Sequence, residues 1–570
     1  MMKIASIGVW LLVSAWSCAV LGVGPCKAQD PGKQTSGGAL RADQAWFDVR
    51  HVLLALRVDA DQRSIDGTMT MRARVLGDRN VDTRAMALHL DDALTVRAVH
   101  VGDRDVPFVH QGGLVRFAVD AAAIRDEFFR VAVTYGGVPR VSPRPPWQGG
   151  FTWSKTEDGS PWIATSCQGE GADLWWPCKD HPSDEAETFD LAITVKKPLY
   201  VATNGVLEGI DDLGDWQRYR WHSKNPLNNY GVALNIAPYV VIERTYASVD
   251  GTKVPAFFYA LPESAARAAK VLPEFLEHVR HMEETCGPYP WRNEKYAVVE
   301  TPHLGMEHQT IIAYGNKFRK QAFDYDWLHH HEMCHEWWAN LVTCRDWKDM
   351  WIHEGIGTYM QALWIERTHG KAGLRTEMLT KRRMLRNQRA VAPRVAAMDS
   401  QEIYFGSIGN DIYYKGSWIC HTLRWVLGDE RFFRVLRRWA YPTEAAEKRL
   451  DGLQARFTDT DELLAIAEDV SGEELDWFFE VYLRRASLPR LSVQRDGKIV
   501  RLEWHVEDGL PFDVAVPVRV GGEERVVRMK GKRGSFELSR ENEEFEIDPD
   551  ARILMEEPTK EARRRAGKER

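Results

Sequence analysis

Through residues 46–245 hydrophobic and polar positions alternate in short runs, as in Val52-Leu53-Leu54-Ala55-Leu56-Arg57-Val58, Thr68-Met69-Thr70-Met71-Arg72-Ala73-Arg74-Val75, Ala87-Leu88-His89-Leu90 and Phe189-Asp190-Leu191-Ala192-Ile193-Thr194-Val195. Runs of this period, separated by Asp, Gly and Asn turns, predict a large β domain over 45–245. The Pro-rich stretch Val141-Ser142-Pro143-Arg144-Pro145-Pro146 predicts a surface loop within it. From about Val254 the period changes to three and four residues. Helices are predicted over 266–285, 326–341, 357–367, 416–427 and 473–483, with strands over 296–300 and 310–313, giving a mostly helical domain over 246–485. After Ala486 the alternation returns over 491–494, 499–504, 514–520 and 544–547, which predicts a small β-sandwich over 486–555. The chain closes on a mixed-charge tail, 556–570, and carries no internal repeat.

Composition refines this picture in three places. A chain of 570 residues exceeds one ordinary core and suggests about three or four domains. Its 44% hydrophobic and 28% charged residues are values of a globular protein, and a net charge of −7 with pI near 6.3 gives no reason to expect nucleic acid or an anionic membrane as partner. At the N-terminus, Lys3 precedes an apolar run to about Val23, followed by Cys26-Lys27-Ala28. This reads as a signal peptide over 1–28 and as export to the periplasm or the extracellular space. A retained membrane anchor is the alternative, because the run is long for a signal. No later stretch is long and apolar enough to span a membrane. Six cysteines follow the leader; Cys167 with Cys178 is the most local candidate disulfide, and Cys334 reads as a buried free thiol.

The candidate chemistry lies in His331-Glu332-Met333-Cys334-His335, an H-E-x-x-H motif within an aromatic and apolar stretch. Residues four apart on a helix lie nearly above one another, so His331 and His335 can aim two imidazoles at one point. Glu354 follows His335 after eighteen intervening residues and supplies a third ligand. Two histidines and one carboxylate leave a fourth position open on zinc, the arrangement of catalytic rather than structural sites. Glu332 is rotated about a quarter turn from His331, where it flanks the metal without binding it and can act as general base.

These residues resemble the gluzincin aminopeptidases, the family that includes aminopeptidase N and the leukotriene epoxide hydrolases. The resemblance covers about residues 45–555 and is most specific in the H-E-x-x-H motif with its later glutamate, in Asn340-Leu341-Val342-Thr343 and in Trp351-x-x-Glu354-Gly355. It implies a multidomain α+β fold: an N-terminal β-saddle domain, a thermolysin-like helical catalytic domain and a small C-terminal β-sandwich. It implies one zinc ion per chain on His331, His335 and Glu354, with Glu332 as base. Leu304-Gly305-Met306-Glu307-His308 resembles the G-x-M-E-N exopeptidase motif. Gly305 and Met306 would then border the substrate and Glu307 would grip its free α-amino group, with Leu304 and His308 departing from the family's Gly and Asn. Tyr413 in Tyr413-Tyr414-Lys415-Gly416 resembles the tyrosine that stabilises the oxyanion. Gln168, in Ser166-Cys167-Gln168 ahead of Trp176-Pro177-Cys178-Lys179-Asp180-His181-Pro182, matches a glutamine placed beside the substrate amine.

The reading that follows is a zinc aminopeptidase acting on peptides with a free N-terminus. An epoxide hydrolase or endopeptidase on the same zinc centre remains an alternative, as does a catalytically relict protein using some of its 22 Trp to bind peptides or sugars.

Overall fold

The computed structural model describes residues 36–77, 83–396 and 409–556. The expected leader over 1–28 and the tail beyond 556 lie outside the described residues. The fold is α+β in three successive parts: β-rich, helical and β-rich again.

The alternating runs of the first part build an eight-stranded sheet in the order Val206–Leu213, Trp216–Ser223, Thr188–Lys196, Phe47–Asp59, Ser64–Val75, Phe128–Gly137, Leu94–Val101, Arg104–Asp105. Its centre is Phe47–Asp59, antiparallel to Ser64–Val75 with Leu54 opposite Met69, and parallel to Thr188–Lys196 with Leu54 opposite Leu191. Val52, Leu54, Leu56 and Val58 point into the core, which is the period-two pattern of a sheet with one covered face. A four-stranded sheet contains Pro161–Ser166 between Asn235–Ala237 and Gly150–Lys155. Gln168 follows two residues beyond the end of that strand.

The helical part carries a five-stranded sheet in the order Val240–Ala247, Lys253–Ala260, Tyr296–Glu300, Ile312–Tyr314, Gly305–Met306. Its first strand runs across residue 245. Gly305–Met306 is the edge strand, with Met306 opposite Ala313. The helix Trp327–Cys334 begins at Asp326, whose carboxylate accepts from His329 N at 3.1 Å as an N-cap. The sequence pattern predicts this helix to residue 341, but regular helix ends at Cys334, and Trp338 and Ala339 have non-helical backbone angles before the strand Val342–Cys344. The long run Trp351–Arg382 is two helical pieces divided at Gly370 (φ 67°). Asp411–Leu427 follows. The helices Asp429–Ala440 and Thr460–Ser471 are additional to those predicted.

The last part is two three-stranded sheets, Arg490–Asp496, Ile499–His505, Arg533–Glu537 and Glu523–Val527, Val516–Val520, Phe545–Ile547. They meet through Phe536 and Phe545, ring centroids 5.4 Å apart, over a core of Val500, Leu502, Trp504, Val516 and Val518. Trp175, Trp176, Trp337 and Trp338 are buried, so these tryptophans pack the core rather than present a binding surface. All six described cysteines are free and buried; Cys167 and Cys178 do not form the disulfide that their spacing suggested. No helix among the described residues is long and apolar enough to cross a membrane.

One contact sets the helix positions around Glu354. Gly355 and Gly416 lie backbone to backbone where Trp351–Arg382 crosses Asp411–Leu427: a Cβ added at Gly416 would stand 2.7 Å from Gly355 Cα. Glu354 and Tyr413, each within one turn of its glycine, are brought together by that crossing. Gly416→Ala forces the helices apart, and overpacking of this kind costs about 1–3 kcal/mol. The expected outcome is a lower urea midpoint at unchanged slope; an unchanged midpoint would show that the crossing has slack.

Candidate active site

His331 and His335 project from one face of Trp327–Cys334 and its last turn, and Glu354 meets them from the first turn of Trp351–Arg382. His331 Nε2 is 3.4 Å from His335 Nε2 and 3.3 Å from Glu354 Oε2, and His335 Nε2 is 3.6 Å from the same oxygen. Ligands about 2.0–2.1 Å from a tetrahedral centre stand roughly 3.3–3.4 Å apart, so the three donor atoms fit the corners of a zinc site. They are the one such cluster of His, Cys, Asp or Glu among the described residues.

The end of the regular helix serves this site. His335 Nδ1 lies 2.9 Å from Trp338 O, and a carbonyl only accepts. Nδ1 therefore carries the hydrogen and Nε2 offers its lone pair to the cluster. A continuous helix would commit the Trp338 carbonyl to a backbone N–H a turn later. Beyond the turn, Asn340 Nδ2 donates to Glu307 O at 3.0 Å and to Glu336 Oε2 at 3.3 Å. The neighbouring His353 does not join the cluster: its Nε2 accepts from Cys344 N at 2.9 Å, and burial pushes its pKa down to about 3.

Glu332 is buried beside the edge strand; a Cβ on Gly305 would come within 2.6 Å of its Oε1. Burial first, and then the charges of Glu307 and Glu354, hold its pKa well above the usual carboxylate range. Glu307 is also buried and accepts from Gln168 Nε2 and, at 3.2 Å, from Tyr230 OH. Tyr413 lies with its ring centroid 5.9 Å from that of His331 and is hydrogen-bonded to Glu354. Burial, then the three glutamates, raise its pKa well above 10, so it stays a neutral O–H donor. Tyr414 is hydrogen-bonded to Asn410 instead. Gln168, Gly305, Met306, Glu307, His331, Glu332, His335, Glu354 and Tyr413 all line one cavity of about 440 Å³.

Leu304, where the exopeptidase motif departs, adds an apolar side chain to the same cavity, while Gly315 N donates to its carbonyl at 2.6 Å. The backbone of the edge strand is thus fixed in spite of the substitution. His308 is buried beside it.

Two residues of this site were not expected. Tyr230 carries no local signal. Glu336, next to His335, is a buried carboxylate that accepts from Trp291 Nε1 at 2.6 Å, Thr310 N at 2.9 Å and Tyr289 OH at 3.2 Å. Burial, opposed by these bonds, pushes its pKa up to about 7. Its position beside His335, a candidate metal ligand, in an apolar stretch was a readable sign of an internal role.

Residues 287–482 match the Peptidase family M1 domain. This part of the chain is a domain of peptidase family M1. The chain is 26% identical to leucine aminopeptidase 2 of Neurospora crassa over 57% of its own length and 48% of that protein's. It is 24% identical to leukotriene A-4 hydrolase of Xenopus laevis over 55% of its own length and 51% of that protein's. It therefore spans about half the length of these relatives. The crystal structure of an M1 zinc metallopeptidase from Deinococcus radiodurans covers 78% of this chain and 96% of its own, with a TM-score of 0.63 at 22% identity, a likeness of fold.

The fit of the three donors yields a measurable expectation. Zinc added at about 100 times its dissociation constant to chelator-stripped protein should stabilise the fold by roughly 2.7 kcal/mol. His335→Ala should abolish this gain and the bound metal seen by mass spectrometry. Undiminished zinc content in the variant would reject His335 as a ligand.

Proposed function

We propose that the protein is a zinc aminopeptidase that removes residues singly from peptides with a free N-terminus, using one zinc ion per chain held by His331, His335 and Glu354. The observation that carries this reading is Glu307: a buried carboxylate, oriented by Gln168 and Tyr230, in the cavity that also holds the metal-ligand cluster. When bound, zinc supplies a Lewis acid that makes water nucleophilic near neutral pH and polarises a carbonyl oxygen.

The chain's own residues supply the rest. A peptide α-amine, with pKa near ~8, is largely cationic at neutral pH, and the Glu307 carboxylate accepts its N–H groups. Gln168 and Tyr230 donate to Glu307 and fix its direction. With the amine anchored there, the first peptide bond is the one presented to the cluster. Glu332 takes a proton from the attacking water and returns it to the departing nitrogen. Tyr413 donates its O–H to the carbonyl oxygen as negative charge collects on it. Gly305 and Met306 form the edge against which the substrate lies.

Glu332→Gln should retain zinc and lose about 10²- to 10⁴-fold in kcat, and Tyr413→Phe about 10²- to 10³-fold. Both are read on aminoacyl chromogenic substrates with and without a chelator. Acetylating a peptide's N-terminus should abolish its cleavage. Equal turnover of the acetylated peptide would falsify the aminopeptidase reading in favour of an endopeptidase on the same centre.

We also propose export, on the N-terminal apolar run alone. Expressed with its full N-terminus, the protein should be recovered outside the cytoplasm beginning near residue 29 by N-terminal sequencing. Recovery of uncut chain in the membrane fraction would favour the anchor.

A further inference from the structure

Besides the metal-ligand cluster and Glu307, the cavity is lined by the stripe Glu354, Thr358, Gln361, which lie on successive turns of one helix face. Gly370, with its φ of 67°, breaks that run, and the second helical piece returns Glu377 and Lys381 to the same cavity. Lys381 is the one Lys or Arg lining it among the described residues, against four glutamates.

Lys381 is buried, with only 5% of its side chain exposed, and donates to Glu377 four residues earlier. A surface pair at this spacing would leave the ammonium in water, where such contacts contribute little. Here the ammonium has been taken out of water. It has three N–H donors, and among the described residues Glu377 is its sole hydrogen-bond acceptor. A buried charge in that state gains from a second acceptor.

On the aminopeptidase reading, a peptide anchored by its amine at Glu307 extends its leaving portion along this stripe. We propose that Lys381 receives the C-terminal carboxylate of that portion, so that the preferred substrates are di- and tripeptides with both ends free. The cavity would then recognise its substrate by charge at both termini, an ammonium on Glu307 and a carboxylate on Lys381. Its volume of about 440 Å³ is within the range of small-ligand sites.

The test compares kcat/KM of the wild-type protein, zinc-loaded, on Ala-Ala, Ala-Ala-Ala, their C-terminal amides and alanine p-nitroanilide. A charge-assisted contact predicts that amidation lowers kcat/KM by about 10- to 100-fold. Lys381→Met should lose the same factor on the free acids and little on the amides and the anilide, which separates a binding role from a structural one. Equal rates on acids and amides in the wild type would overturn the inference, as would a uniform loss across all substrates in Lys381→Met. The anilide has no carboxylate and reports the aminopeptidase reading by itself. If it is not hydrolysed, that reading fails; if it is hydrolysed while amidation has no effect, only the assignment of Lys381 fails.

Discussion

Glu307, Glu332 and Glu354 are buried around one cavity, and their charges bear on one another: burial and the other two carboxylates raise Glu332, while burial and Glu354 raise Glu307. Three carboxylates at such short range out of water are unfavourable unless positive charge is brought to them. Two sources of it fit. A dication at the His331, His335, Glu354 cluster answers the charge at one side, and a substrate ammonium at Glu307 answers it at the other. On the proposed reading the arrangement is a pair of cation sites sharing one set of acids, with Glu332 feeling the charge of both. Much of the surrounding architecture can be understood as what is needed to keep these groups together.

Three devices do so. The crossing of Gly355 over Gly416 places Glu354 and Tyr413 side by side with no Cβ between the helices. Irregular backbone after Cys334 turns the Trp338 carbonyl to His335 and the Asn340 amide to the Glu307 carbonyl, so one departure from helix positions both His335 and Glu307. Glu336 then ties this turn to Thr310, Trp291 and Tyr289, anchoring it to the segment that follows the edge strand. Each device gives up regular structure or packing volume for geometry at the cluster, which is where such departures are expected.

What was legible in the sequence was what is local. Helix periodicity alone places His331 and His335 on one face, and the alternation of Phe47–Asp59 alone assigns its inward residues. The helices Asp429–Ala440 and Thr460–Ser471 were equally readable, from Phe432, Val435, Leu436 and Trp439 at three- and four-residue spacing and from the N-cap at Asp459. The end of the metal-bearing helix was not. The residues 336–341 continue an apolar pattern, and the reason for leaving the helix lies in partners such as Glu307, 33 residues away in sequence. Gln168 is an extreme case. It reaches Glu307 across 139 residues, and only the resemblance of its surrounding motif pointed to it. Tyr230, in the same contact and with no motif around it, left no trace at all.

The contact of Gln168 with Glu307 also joins the two halves of the site. Glu307 stands just past the edge strand of the catalytic sheet, whereas Gln168 follows a strand of the β domain, and Tyr230 belongs to the β domain as well. In the proposed reaction the carboxylate that fixes which bond is cut therefore takes its direction from outside the domain that holds the metal. The His331, His335, Glu354 cluster is assembled from two helices packed within the helical part, so it does not depend on that junction in the same way. On the proposed reading, chemistry and positional selectivity are held by different contacts. In that reaction, a change that loosens the β domain against the edge strand would leave water activation in place while blurring the choice of the first bond. Where Leu304 and His308 depart from the motif, the backbone between them is still held, by Gly315 N at the Leu304 carbonyl and by the Asn340 amide at the Glu307 carbonyl.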